Sequence, residues 1–203
     1  MQNLNLELFN CDDNYLCKFN LPDNINGASS NDFTTIIILD ISGSMHNSID
    51  TLTKPFLPEL FSKFNYKESQ PITFITFSNE SKITSYYFKE IVSGIKIVAD
   101  GGTYMQPALQ NLKNFLENNK NKKIRILSIS DSDLFDQEDT VVYSNENVNI
   151  IKSKDLLVNS QAIRFFTSNY QPDTRGLSSC LLFSNVTNPK LIDISAENYK
   201  YSN

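Results

Sequence analysis

Histidine is almost absent from this chain of 203 residues, with His46 the only one. One imidazole excludes the His-rich ligand sets of zinc enzymes, and any Ser-His-Asp hydrolase would depend on that single residue. His46 lies two residues beyond Ser44, and no G-x-S-x-G elbow surrounds Ser42 or Ser44, so the turn that exposes a nucleophilic serine is missing. Cysteine is scarce as well. Cys11, Cys17 and Cys180 are odd in number and widely spaced; they build no disulfide framework and point to a reducing, cytoplasmic or otherwise intracellular setting. No apolar run reaches the roughly 18 residues of a membrane-spanning helix, so no transmembrane segment is expected. The opening MQNLNLELFN has no basic n-region and does not read as a secretory leader. Positive charge is in the minority, with 18 Lys and Arg against 23 Asp and Glu and a net charge of -5. That balance argues against a broad nucleic-acid surface. The one compact basic run, KNKKIR at 120–125, reads as a solvated loop ahead of a strand. P-loop and dinucleotide-binding glycine motifs are both missing.

What is present suits one large domain, big enough to bury roughly 70% of its extended surface without staples. Leu4–Phe9 and Tyr15–Leu21 alternate or run apolar around a turn-like Cys11–Asn14, so a hairpin or strand extension is predicted. The polar stretch DNINGASSND at 23–32 is a connector. Residues 1–32 are therefore read as an N-terminal extension and 33–203 as the main domain. There, FTTIIIL at 33–39 is rich in β-branched residues and hardly alternates, as a strand covered on both faces should. Asn47–Lys63 carries apolar residues at helical spacing, with Pro55 and Pro58 predicted to kink or split the helix. Ile72–Phe77 is a second buried strand, and Lys82–Tyr87 a shorter, more polar edge strand. The link between them is too short for a crossover, so these two should run antiparallel. Met105–Asn118 is a helix with Leu109, Leu112, Phe115 and Leu116 as its stripe. Lys123–Ile129, Ala162–Thr167 and Leu191–Ile194 are further strands, and Leu177, Cys180, Leu181 and Phe183 suggest a helix between the last two. The acidic Asp136–Asn149, poor in strong helix formers, reads as a long surface loop. The expected class is α/β: a doubly wound, mostly parallel sheet with helices on both faces.

The chemistry collects at strand ends. IIILDISGSM at 36–45 runs straight from a buried strand into an acid and alternate hydroxyls. In open α/β sheets ligands bind beyond the carboxyl ends of the strands. Asp40 sits at one such end and Asp131 at another. Thr103 lies in the turn DGGT at 100–103, ahead of a helix. All are hard oxygen donors, which select Mg²⁺, with Mn²⁺ or Ca²⁺ as alternatives, over zinc. Gly43 lets the turn close while Ser42 and Ser44 point to one side.

The set Asp40-Ile41-Ser42-Gly43-Ser44, then Thr103 within DGGTYMQPAL, then Asp131 within ILSISDSD, resembles a von Willebrand factor type A (vWA) domain with a metal-ion-dependent adhesion site (MIDAS). The similarity spans roughly Phe33 to Ser195. The resemblance implies a Rossmann-like sheet of six strands in the order 3-2-1-4-5-6, its short third strand antiparallel. It implies that Ser42 and Ser44 coordinate the metal directly, Thr103 directly or through water, and Asp40 and Asp131 mostly through water. A partner's Glu or Asp completes the shell. Ser132 and Asp133 follow Asp131 where the family usually has Gly. Asp133 is read first as a cap for the following helix, otherwise as added negative charge at the rim.

Two rivals compete with a metal-dependent protein-interaction module working inside a larger assembly. A Mg²⁺-dependent phosphotransfer enzyme would also place an Asp after a buried strand. It would want a second carboxylate two residues on, where Ser42 stands, and a basic group for the phosphoryl oxygens; catalysis is therefore not expected. A scaffold with a vestigial metal site is the other rival, and the intact Ser42, Ser44 and Thr103 speak against it.

Overall fold

A computed structural model describes residues 5–11, 14–20, 33–131, 134–166 and 191–195. The first two segments are strands β1 (Asn5–Cys11) and β2 (Asn14–Asn20), which pair antiparallel as a two-stranded sheet. The predicted helix around 177–183 lies outside the described residues, as does Asp133.

The main sheet is built around β3 (Thr34–Asp40), which pairs in parallel with β4 (Pro71–Phe77) on one side and β6 (Lys123–Ser130) on the other. Side chains alternate across a strand, and β3 serves two cores. Ile37 and Leu39 join the cluster that holds Leu52, Phe56, Leu57 and Phe61. Ile36 and Ile38 join the one that holds Leu109, Leu112 and Leu116. With protein on both faces and both edges, neither parity can be polar, which explains an unbroken apolar run. Beyond β4, β5 (Ser81–Tyr87) runs antiparallel at the edge. At seven residues it is as long as β4, where a shorter strand was expected. β7 (Leu157–Phe166) pairs in parallel with β6, and β8 (Leu191–Ser195) with the end of β7. The order is β5-β4-β3-β6-β7-β8, a mixed sheet flanked by helices. From β3 the chain turns first toward β4 and later to β6 on the other side, so the switch point lies between β3 and β6.

The proline-bearing helix does not break. α1 (Ile49–Thr51) leads through a π-helical segment, Leu52–Phe56, into α2 (Leu57–Lys63). Pro55 has no N–H to give, and its ring crowds the preceding turn. Widening the turn to the π form, with the Leu57 N–H reaching the Leu52 carbonyl, relieves this without ending the helix. Pro58 falls in the first turn of α2, where no donor is lost. α3 (Phe88–Val92) is a short helix the sequence did not announce, fastened by the Tyr87 N–H donating to the Glu90 carboxylate at 2.6 Å. α4 (Gln106–Asn118) buries Ala108, Leu109, Leu112 and Leu116.

The loop expected at 136–149 is instead α5, Gln137–Ser153. Its buried stripe is Thr140, Ser144, Asn147, Val148 and Ile151. The helical period is present, but polar residues fill most of it and hide the pattern. Hydrogen bonds stand in for apolar contact. The Asn147 amide donates to the Leu109 carbonyl of α4 at 3.0 Å and to the Tyr143 carbonyl at 2.9 Å. Lys113 of α4 pairs with Glu146 at 2.9 Å.

Candidate metal centre

Asp40 ends β3 fully buried, a consequence of the central strand that carries it. Its carboxylate is held from two sides: one oxygen accepts the Ser42 N–H at 2.8 Å, the other the Ser130 hydroxyl at 2.6 Å. Burial raises its pKa from 3.8 to about 7, with repulsion from the Asp131 carboxylate adding to it and the bonds from Ser130 and Ser42 opposing it. Two acids thus face one another in a dry site, where a cation would be favoured.

The chain beyond Asp40 turns through a single 3₁₀ segment, Gly43–Asn47. This sets the Ser42 and Ser44 hydroxyls 3.0 Å apart. The two hydroxyls are hydrogen-bonded to each other; cis ligands of an octahedral ion with bonds of 2.0–2.1 Å would lie at a similar separation, about 2.9 Å. Ser42 is buried while Ser44 is exposed. Met45 packs fully under the turn and His46 faces solvent.

The other two site segments are tied to this turn by the backbone. The Gly43 N–H donates to the Gly101 carbonyl at 3.0 Å and the Asp100 N–H to the Ile41 carbonyl at 2.8 Å. A Cβ at Gly43 would sit 3.4 Å from the Gly101 oxygen, an ordinary contact. Gly101 takes φ +84°, a conformation that favours glycine. Thr103 and Asp131 are both buried, and the Phe135 N–H donates to the Thr103 carbonyl at 2.9 Å. The segments bearing all five predicted residues, Asp40, Ser42, Ser44, Thr103 and Asp131, therefore meet at one rim, beside the switch point.

Three residues that hold this rim were not foreseen. Ser130 is one residue beyond the Leu39–Ile129 pair, so the register alone sets it beside Asp40. Asn79 accepts the Gly102 N–H at 2.8 Å. Asp136 caps not its own helix but α4, accepting the N–H groups of Met105 at 3.0 Å and Gln106 at 2.6 Å. A sequence offers no local signal for a cap supplied from 30 residues away.

Among the described residues, no group of three His, Cys, Asp or Glu side chains gathers to hold a metal. The donor set is two carboxylates and three hydroxyls, so an ion here would rely on neutral oxygens and water.

A sequence profile of the von Willebrand factor type A domain matches residues 35–133, the span from β3 to the segment after Asp131. The chain has a von Willebrand factor type A fold. Solved structures share it at low identity. The manganese-loaded TRAP protein of Plasmodium vivax aligns with a TM-score of 0.55 and 14% identity, over 83% of this chain and 70% of that one. The D319A mutant of the PilB minor pilin from Streptococcus sanguinis aligns at 0.58 and 12%, over 89% and 61%. Proximal thread matrix protein 1 from the mussel byssus, with a zinc-occupied MIDAS motif, aligns at 0.50 and 10%, over 86% and 45%. This chain spans less than two thirds of the last two. Identities this low carry the vWA fold alone. No curated protein matches the sequence. No helix among the described residues is long and apolar enough to cross a membrane.

Proposed function

We propose that this vWA-fold domain is a protein-interaction module in which a divalent cation meets a carboxylate of a partner. Ser42 and Ser44 would hold the ion with Thr103, and Asp40 and Asp131 would orient water and hydroxyls behind them. The ion, Mg²⁺ first with Mn²⁺ or Ca²⁺ as alternatives, supplies a positive centre with a position open to a Glu or Asp. The observation that carries this reading is the 3.0 Å Ser42–Ser44 hydroxyl pair backed by two buried acids. In the same reading the sheet is six-stranded with Leu191–Ser195 outermost, residues 1–32 are an extension of a domain running 33–203, and the scarcity of cysteine supports an intracellular assembly.

A second reading keeps the fold and drops the ion. Both oxygens of Asp40 already have partners within the protein, and no three-carboxylate or imidazole cluster forms among the described residues. On this reading the domain is a scaffold whose site has ceased to bind metal. A phosphotransfer role gains nothing from the place of the second acid, where Ser42 stands.

Calorimetric titration of Mg²⁺ and Mn²⁺ decides between them. The metal reading expects one site, lost in the Ser42→Ala/Ser44→Ala double variant, and metal-dependent shifts of the Gly43–Met45 amides. Absence of those shifts at millimolar metal, or equal heats in both proteins, establishes the scaffold.

A further inference from the structure

Beside the candidate site stands an exposed aromatic pair. Tyr104 is 41% and Phe135 62% exposed. Their rings meet edge to face, with centroids 5.5 Å apart and planes at 85°. Backbone bonds fix both next to the rim: the Tyr104 N–H donates to the Ser78 carbonyl at 3.0 Å, and the Phe135 N–H to that of Thr103 at 2.9 Å. The pair also lies over the glycine turn. A Cβ on Gly102 would come within 2.9 Å of the Tyr104 ring and 3.2 Å of the Phe135 ring. Phe135 continues into a groove of about 440 Å³ lined by Leu134, Asp136, Gln137, Glu138 and Asp139. A sequence does not ordinarily leave two large rings in water against a functional rim without a partner for them.

Charge selects the partner. The rim is made by residues 40–48, 78–80, 100–105, 131 and 134–139. Beyond Asp40 and Asp131 these carry Glu80, Asp100, Asp136, Glu138 and Asp139; the cations at this end of the sheet are Arg164, in register with Ser130, and Lys82, in register with Thr76. Acids therefore outnumber cations at this end of the sheet. Lys120, Lys122, Lys123 and Arg125 enter β6 at its opposite end. A partner offering a bare carboxylate would meet repulsion over most of this rim, whereas a neighbouring cation would be drawn to it. An aromatic face is itself a cation acceptor.

We propose that Tyr104 and Phe135 form a platform for a Lys or Arg side chain of the protein partner, set beside the position of its carboxylate. The proposal rests on the reading of this face as protein-binding and names the second half of what it binds. The aliphatic stem of the side chain lies along Phe135, and its head group faces the acids of the groove.

Amide-resolved NMR titration tests it with three small probes: N-acetyl-arginine methylamide, its uncharged norleucine counterpart, and acetate, each in Mg²⁺ and in EDTA. The arginine probe should shift the amides of 102–105 and 134–138, in EDTA as well as in Mg²⁺. A Tyr104→Leu/Phe135→Leu double variant keeps the apolar bulk and loses the ring faces. It should bind the arginine probe roughly two- to fivefold more weakly, the size of an exposed cation–π contact. Shifts centred elsewhere, equal shifts from the norleucine probe, or undiminished binding by the double variant would overturn the platform. Acetate reports the ion separately, since it should move the Gly43–Met45 amides only in Mg²⁺. A silent acetate titration beside a positive arginine one removes the metal reading and leaves the platform; the reverse removes only the platform.

Discussion

Replacing Asp40 by Asn should stabilise the metal-free protein at neutral and higher pH. The acid is fully buried and its pKa rises from 3.8 to about 7, through desolvation first and Asp131 second. The sign follows from where the proton sits. Between these two values the folded chain keeps a proton that the unfolded chain has released, so this contribution to stability is whole below about pH 4 and is lost as pH rises through about 7. The full span is worth about 4 kcal/mol, from 1.36 kcal/mol per unit. Asp40→Asn removes the charge and keeps the geometry: its oxygen can accept the Ser42 N–H and its amide can donate to the Ser130 hydroxyl, the partners the acid has now. Urea denaturation in EDTA, run from pH 4 to pH 8 on both proteins, gives the difference directly. The two should be nearly equal at pH 4, and the variant should be ahead by up to about 4 kcal/mol at pH 8. Adding Mg²⁺ at pH 8 should close much of the gap, since an ion bound only to the folded wild type stabilises it by about 2.7 kcal/mol at a hundred times its Kd. Parallel pH curves would show that Asp40 ionises freely in the folded state and would refute the picture of a strained acid pair.

Other perturbations separate scaffold from site. Ile37→Ala, at a fully buried position of the central strand, should cost about 2–5 kcal/mol by chemical denaturation while leaving metal heats per folded molecule unchanged. Asp136→Ala uncaps α4, whose first two N–H groups lose their acceptor; a loss of about 1–2 kcal/mol is expected in the same assay, with partial recovery in Asp136→Asn. Gly101→Ala forces a side chain into φ +84° and against Asn79, 2.9 Å away. It should cost about 1–2 kcal/mol, and amide shifts should spread to Gly43, whose N–H bonds the Gly101 carbonyl.

The central strands and the antiparallel edge pair could be read from the sequence because each leaves a local mark, and the five candidate donors were proposed from marks of the same kind. Buried parallel strands must be continuously apolar, a three-residue link permits only a hairpin, and oxygen donors cluster where such strands end. α5 left no such mark: its inward stripe is Thr140, Ser144 and Asn147, and it is held by hydrogen bonds whose partners, such as the Leu109 carbonyl, lie in another helix. The π-helical passage through Pro55 is similar, since packing of Leu52 and Phe56 into the core favours a widened turn over the break that proline alone suggests. At the rim the sequence supplied the residue types; only the register of β3 with β6 placed Ser130 against Asp40, and only burial, with Asp131 nearby, raised the acid's pKa against that bond. The cap on α4 from Asp136, and the meeting of Tyr104 with Phe135, likewise depend on loops brought together by non-adjacent strands. Local chemistry can be written in a local pattern; desolvation, mutual repulsion and contacts across 30 residues exist only once the chain has folded.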